Sequence, residues 1–395
     1  MGTQPPVTIL WNSPSTLISV FIILLLPYLL AGFVIAVYSR RYDLSELFSS
    51  PSSLPLVSIV IPTYNEQDSI AKKLSNIQSL IYPEDRLEIL VVDCSTDATP
   101  NIVREASARD KRIKLISEPE RTGLAAALNV GYGQASGKIV VKSDADALVF
   151  TPDAIKRAAR LLENPKVGGV CGIYSGVRRI EGTFRNMEIV QQMAETMIDS
   201  IIVAHGSFAA FKKEAMGVLD PTSMADDTEM FMKIRRKGYR TILDNGIKTS
   251  EPYPSTIRWR IDQKSRRAGG IVRVLLGNVD ILLGRGGARF SYLVYPLDLL
   301  TIVLLPWIMI AECVLALATA VALFGFVAAP CFLVLILLAG GCYAFNRPRV
   351  IAGLVDIWLS CTLGQVSLIA GQREFMWAKS HREVTVASPS SEHSP

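Results

Sequence analysis

Charged side chains are scarce in this 395-residue chain. Asp, Glu, Lys and Arg make up 19% of it and half is hydrophobic, whereas a soluble domain carries ~25% charge. That scarcity excludes a purely soluble protein and a disordered one. A strong charge of one sign is also missing: 41 Lys and Arg against 36 Asp and Glu give +5. This excess is too small and scattered for a nucleic-acid binder, and it suits a membrane protein with a basic cytoplasmic face. The six cysteines form no CxxC pair and no regular framework, and four of them (Cys313, Cys331, Cys342, Cys361) lie in apolar runs. Neither a zinc site nor a disulfide scaffold is expected, and the polar part reads as cytosolic and reduced.

What is abundant is long apolar sequence. Leu17 to Tyr38 is 22 residues without a charge, and a bilayer core needs ~20 helical residues. Pro27 inside it is tolerated in membrane helices. No Lys or Arg precedes the run and Arg40 and Arg41 follow it. A cleaved signal peptide would show the opposite order. The positive-inside rule therefore puts the N-terminus outside and residue 40 onward in the cytoplasm. A second zone, Tyr292 to Phe345, is long enough for two helices with a turn at Gly325 to Pro330, and Asn346-Arg347-Pro348-Arg349 ends it. A weaker stretch, Val350 to Gly371, holds Asp356, Thr362 and Gln365 and reads as a span, a re-entrant segment or an interfacial one. Asp298 and Glu312 lie inside the second zone, where a carboxylate is costly and by default a functional candidate; a helix-end or bundle-facing residue, neutral or hydrogen-bonded, is the preferred reading of both.

The expected division is an extracytoplasmic N-terminus (1–16), a transmembrane helix (17–39), a cytoplasmic domain (54–255), an interfacial amphipathic part (256–290), two or three transmembrane segments (291–371) and a cytoplasmic or disordered tail (372–395). Within 54–255, β-branched runs alternate with helical patterns. Strands are expected at Val57–Ile61, Leu87–Val92, Ile113–Ile116 and Lys138–Lys142, with helices at Asp68–Leu80, Thr96–Asp110 and Gly123–Ala135. This order implies an α/β domain with a mostly parallel sheet covered on both faces. Ligands of such sheets bind at the carboxyl ends of the strands.

Three of those ends are polar: Pro62-Thr63-Tyr64-Asn65-Glu66, Asp93-Cys94-Ser95-Thr96-Asp97, and Ser143-Asp144-Ala145-Asp146. Two carboxylates two residues apart after a buried strand can meet one divalent cation and the diphosphate it neutralises, and hard oxygen ligands suit Mg²⁺ or Mn²⁺. Asp226-Asp227 opens a later helix, where one Asp can cap backbone N–H groups while the other faces a site. Gln263-Lys264-Ser265-Arg266-Arg267 follows in a cationic helix. Arg suits bidentate phosphate binding, whereas Arg258, Arg260 and Lys264 read as a basic patch facing the membrane. The next helix, Ile271 to Leu283, is amphipathic enough to lie on a membrane.

Taken in order, these segments resemble the family 2 glycosyltransferases of the membrane-integrated, cellulose-synthase-like group, and small lipid-linked mannosyltransferases among them. The resemblance rests on Ile59 to Glu66, Asp93 to Asp97, Gly123 to Asn129, Asp144-Ala145-Asp146, Asp226-Asp227 and Gln263 to Arg267; His205-Gly206-Ser207-Phe208 resembles the family's acceptor-side segment. It implies a GT-A fold, a nucleotide-diphosphate sugar donor, a divalent Mg or Mn ion, and inversion at the anomeric carbon. It further implies that Pro62, Tyr64, Glu66, Asp93, Asp144, Gln263, Arg266 and Arg267 bind the nucleotide sugar, that Asp144 and Asp146 hold the metal, that His205, Gly206 and Asp226 face the acceptor, and that Asp227 is the catalytic base.

Three positions depart from the family pattern. The first Asp of its second motif is Val92, a frequent Lys of its third motif is Leu124, and the Trp of Gln-x-x-Arg-Trp is Arg267. In polymer synthases of the family that Trp stacks on the acceptor sugar, and an Arg does not provide the same sugar platform. Together with the small membrane part, this favours transfer of one or a few sugars to a lipid-linked acceptor sugar, as in glycolipid or N-glycan precursor synthesis. GDP-mannose is the preferred donor on resemblance alone, with UDP-glucose close behind. Transfer to a polyprenyl phosphate, a processive β-glycan synthase and a non-enzymatic scaffold remain open alternatives. The sequence does not set the linkage or the oligomeric state.

Overall fold

The computed structural model describes residues 14–49, 53–175, 179–250, 257–345 and 347–371. Residues 1–13 of the expected N-terminal segment 1–16, and the tail from 372, lie outside the described residues.

The strand-and-helix alternation read from the sequence is present. In chain order come α1 (Pro14–Ser39), β1 (Val57–Thr63), α2 (Ile70–Gln78), β2 (Leu87–Asp93), α3 (Thr99–Arg109), β3 (Ile113–Ser117), α4 (Leu124–Gln134) and β4 (Ile139–Lys142). Strands β1 and β2 are buried at every residue, as strands of a sheet covered on both faces must be. Val57, Ile59 and Ile61 face α2, packing with Ile70, Leu74 and Ile77, whereas Val60 and Val92 face α4 and Leu128. The period of two thus divides one strand between two cores. Gly131 of α4 rides directly on the sheet; a Cβ there would lie 2.4 Å from a Val60 methyl.

Beyond β4 run β5 (Leu148–Val149), α5 (Ala154–Leu162), β6 (Val167–Tyr174), α6 (Arg179–Ile198), β7 (Ala209–Lys212), α7 (Asp226–Arg236) and β8 (Arg240–Ser250). The described residues form one eight-stranded sheet in the order β3-β2-β1-β4-β7-β6-β8-β5. Its first four members are parallel, and β7 runs antiparallel to both β4 and β6.

The helical part is α8 (Ile257–Leu276), α9 (Leu305–Phe324), α10 (Ala328–Phe345) and α11 (Arg349–Ile369). Three stretches, Ile18–Ser39, Phe290–Phe345 and Ile351–Ile369, are long and apolar enough to cross a membrane. The middle one breaks at Gly325, whose φ of +69° is accessible to glycine, and so contains the two expected helices. Pro306 removes an N–H from the first turn of α9. The side-chain amide of Gln365 on α11 donates instead to the carbonyls of Ile302 and Val303, while the Trp358 indole N–H donates to Pro306 O. Asp298 and Glu312 are both buried, as expected of bundle-facing carboxylates.

Two expectations need correction. The cationic segment and the start of the expected Ile271–Leu283 helix are one continuous α8 ending at Leu276, and Val279–Leu283 is a short 3-10 turn. Arg258 is exposed, but Arg260 and Lys264 are not a surface patch. Both are buried against Asp356 of α11, because the i, i+4 spacing that makes a stripe on one helix also fits one acceptor on a neighbour.

Candidate active site

The carboxyl ends of β1, β2 and β4 lie side by side, and the loops after β1 and β2 are bound to one another. Asp93, the last residue of β2, is buried; its carboxylate accepts hydrogen bonds from Thr63 Oγ1 (2.7 Å) and Ser95 Oγ (2.6 Å). Asn65 adopts a positive φ of 55°, a conformation that Asn tolerates better than most residues. From it, the Asn65 N–H donates to Ser95 Oγ and its side-chain carbonyl accepts from Thr96 N–H. The Glu66 N–H donates to Thr99 Oγ1. Pro62 is the penultimate residue of β1, paired in register with Val92. The Arg121 guanidinium lies 4.1 Å from the centre of the Tyr64 ring, a cation–π contact that the spacing of motifs did not disclose.

At the end of β4 stands a lysine that the sequence reading passed over. Lys142 is 2% exposed. Its ammonium lies 2.5 Å from Asp226 Oδ2 and 3.7 Å from Asp144 Oδ1. Burial disfavours its charge, but the facing carboxylates of Asp144, Asp226 and Asp227 outweigh that and hold it protonated. A lysine ending a fully buried strand is itself a signal, since Lys is almost never buried unpaired.

Asp226 and Asp227 form the first turn of α7. The expectation that one of them caps the helix is not met: Ala225 is the N-cap and no side chain bonds there. Asp226, 8% exposed, pairs with Lys142 instead. Asp227 is half-buried. Burial, with the charges of Asp226 and Asp144 adding to it, pushes its carboxyl up to about 6, against the opposing pull of Lys142 and Arg267.

Asp144 and Asp146 are half-buried in the turn after β4. Gly206 packs on that turn: its carbonyl accepts from Asp144 N–H at 3.2 Å, and a Cβ there would lie 2.5 Å from Asp144 Oδ2. A ring nitrogen of His205 lies 3.1 Å from Gln192 Oε1 and its ring 4.5 Å from that of Tyr174, so His205 is buried in packing beside the turn. Behind the turn, Lys73 of α2 donates to Ser143 Oγ and Ala147 O, each at 2.6 Å. Gln263, Arg266 and Arg267 lie half-buried on α8, and Arg267 is near enough to Asp227 for its charge to act there.

The structure therefore gathers Asp144, Asp226 and Asp227 around Lys142, with Arg267 near Asp227, and places Pro62, Tyr64, Glu66 and Asp93 on the neighbouring strand ends. Such an arrangement can neutralise a diphosphate, using cations and hard-oxygen metal ligands, and hold one carboxyl ready to take a proton.

The described residues thus join a mixed sheet with acidic turns at its strand ends to helices long and apolar enough to cross a membrane. Residues 58–242 match the family described as glycosyl transferase family 2, and the mixed sheet they build is GT-A-like. Among similar proteins is a probable glycosyltransferase, YdaM, of Bacillus subtilis strain 168, 32% identical over 240 residues that cover 56% of this chain and 57% of that protein. Another is poly-beta-1,6-N-acetyl-D-glucosamine synthase of Staphylococcus aureus strain MSSA476, 26% identical over 63% of each chain. The chain thus spans less than two thirds of these relatives. Among solved structures, the mannosyltransferase PcManGT of Pyrobaculum calidifontis, in complex with GDP-Man and Mn²⁺, is 28% identical with a TM-score of 0.71, covering 89% of this chain and 99% of that one.

Proposed function

We propose that the chain is a membrane-bound, inverting glycosyltransferase that moves one or a few sugars from a nucleotide-diphosphate sugar to a lipid-linked acceptor sugar. GDP-mannose is the preferred donor. The observation that carries this reading is the carboxylate group around Lys142 at the strand ends, with Asp227 beside Arg267. The likeness to PcManGT, whose complex holds GDP-Man and Mn²⁺, supports the choice of donor. The three apolar stretches support the membrane location, with the catalytic domain on the cytoplasmic side.

In this reading the acceptor hydroxyl oxygen attacks the anomeric carbon from the face opposite the diphosphate. Asp227 takes its proton, the bond from the anomeric carbon to the diphosphate oxygen breaks, and the configuration inverts. Pro62, Tyr64, Glu66 and Asp93 hold the nucleotide. Gln263, Arg266 and Arg267 bind the departing diphosphate, and fixed cations at a developing anion are among the strongest catalytic devices. A carboxyl that titrates near the working pH is a better general base than an ordinary one. His205 and Gly206, both buried, back the acceptor side from behind the turn, and Asp226 keeps Lys142 compensated.

Asp144 and Asp146 would hold the divalent ion. Their oxygens are hard donors on a turn stiffened by Lys73 and Gly206. Among the described residues no group of three or more metal-ligating side chains is close enough to hold an ion; a Mg²⁺-type ion that takes its other oxygens from substrate phosphates fits such a pair. Bound there, the ion would supply charge neutralisation of the diphosphate.

A phosphate acceptor needs no base, so a placed Asp227 favours a hydroxyl acceptor over a polyprenyl phosphate. The likeness to a polysaccharide synthase keeps the processive reading in view, but Arg267 in the place of a stacking Trp disfavours it. The test is incubation of the purified chain with a panel of nucleotide sugars, Mn²⁺ and a membrane lipid extract. Mass analysis is expected to find glycolipids one or a few hexoses heavier. A ladder of long chains would assign the chain to the polymer synthases, and full activity in excess EDTA or in Asp146→Ala would remove the metal from the scheme.

A further inference from the structure

Asp356 is a carboxylate 1% exposed in the middle of an apolar helix. It accepts hydrogen bonds from Arg260, from Lys264 (2.6 Å) and from Tyr343 OH (3.2 Å). The two cations are one turn apart on α8, the helix that also carries Gln263, Arg266 and Arg267. One helical position is 100° round from the next, so a clamp on 260 and 264 fixes which way 263, 266 and 267 face.

A second contact fixes the distance. Gly269 and Gly270 are consecutive, and each touches a different neighbour. A Cβ on Gly269 would lie 3.0 Å from Gly364 O on α11; one on Gly364 would lie 2.5 Å from Ser265 O and 2.7 Å from Gly269 N. A Cβ on Gly270 would lie 2.9 Å from both C and O of Met224 and 3.0 Å from the Ala225 Cβ. Helix α8 is therefore packed backbone-to-backbone between α11 on one side and, on the other, the two residues that lead into Asp226-Asp227.

We infer that Asp356 is a positioning residue: through Arg260 and Lys264 it sets the rotation of α8, so that the apolar helix α11 aligns the diphosphate-binding side chains with Asp227. This rests on the reading of Asp227 and α8 given above and adds that the last apolar helix is part of the catalytic geometry rather than an anchor alone. A buried acceptor shared by two cations is a costly way to attach a helix that apolar contacts would hold, and that cost is understandable if rotation is what must be specified.

The experiment compares the full-length chain, purified in detergent, with Asp356→Asn, Asp356→Glu and Gly364→Ala. The readouts are kcat and donor KM for transfer, the acid limb of the pH–rate profile, and hydrogen exchange at residues 222–228. Misplacement of catalytic groups by about 1 Å costs ~10²-fold. Asp356→Asn and Gly364→Ala are expected to lower kcat on that order, with donor KM little changed, and to raise exchange at 222–228; Asp356→Glu should recover much of the loss. The acid limb should also move to higher pH in Asp356→Asn, because the Arg267 charge that holds Asp227 down would retreat. If Asp356→Asn does not accumulate, Gly364→Ala carries the same test, since it leaves every charge in place. Normal kcat in Asp356→Asn, or loss of kcat with unchanged exchange at 222–228 and no recovery in Asp356→Glu, overturns the inference. A wild-type chain that transfers no sugar would sink the proposed function instead, while the exchange measurement would still judge the coupling between α11 and residues 222–228.

Discussion

At the scale of single residues, the reading turns on a division of labour between two adjacent carboxylates. Asp227 has its titration pushed up to about 6, and a base must be deprotonated to act, so turnover is expected to rise with pH through about 6 and level off above it. Asp227→Asn should lower kcat by ~10²–10⁴ with little change in donor affinity and abolish that limb. Asp226→Asn is a different experiment, because it takes a partner from a buried ammonium. Breaking a buried pair costs ~3–5 kcal/mol, so a large fall in melting temperature should accompany its effect on rate. Lys142→Met should do likewise, and should also move the acid limb above 6, since the Lys142 charge lowers Asp227. An acid limb unmoved in Lys142→Met would show that the two groups are not electrostatically joined. The carboxylates were legible because each follows a strand or opens a helix in a recognisable motif. Lys142, Lys73 and Arg121 were not: each sits outside the motifs, and only the fold brings Lys73 of α2 under the turn after β4.

At the scale of elements, local pattern and long-range pairing separate cleanly. Strands β1 to β4 and helices α2 to α4 were readable because each parallel strand is a short continuous apolar run divided from the next by a helical period. The antiparallel insertion of β7 between β4 and β6 was not, since register there depends on partners far apart in sequence and on which edge stays open. The role of α11 was hidden for a related reason: Asp356 and Gln365 read as flaws in a membrane span until their partners are seen. Gln365 compensates carbonyls near Pro306, so Gln365→Leu should leave Ile302 and Val303 under-bonded. A buried unmet acceptor costs ~1–3 kcal/mol, and a lower thermal midpoint in detergent with an unshifted pH–rate profile is expected. An unchanged midpoint would mean that water or lipid headgroups serve those carbonyls equally well. Gly270→Ala, by contrast, should hardly alter the membrane helices but should depress kcat, because its methyl would press on the Met224 carbonyl beside the site.

At the scale of the whole molecule, the proposed enzyme is a nucleotide-sugar domain built onto helices that also complete it. In the proposed reading the strand ends gather the anionic donor, while α8 is packed between α11 and the residues that lead into Asp226-Asp227. Such a layout suits an acceptor that arrives in the plane of a membrane and a donor that arrives from water. The central claim is that Asp227 drives transfer of a sugar from a nucleotide diphosphate to an acceptor hydroxyl. Its most direct test is the release of nucleoside diphosphate by purified wild-type chain and by Asp227→Asn. It would use GDP-mannose, Mn²⁺ and membrane lipid extract at pH 7.5, with the lipid product followed in parallel by mass. The account predicts lipid-dependent release and a matching mannosylated lipid in the wild type, both reduced ~10²–10⁴-fold in the variant. Equal release and equal product in the two proteins would contradict it, and would point to an acceptor that needs no base.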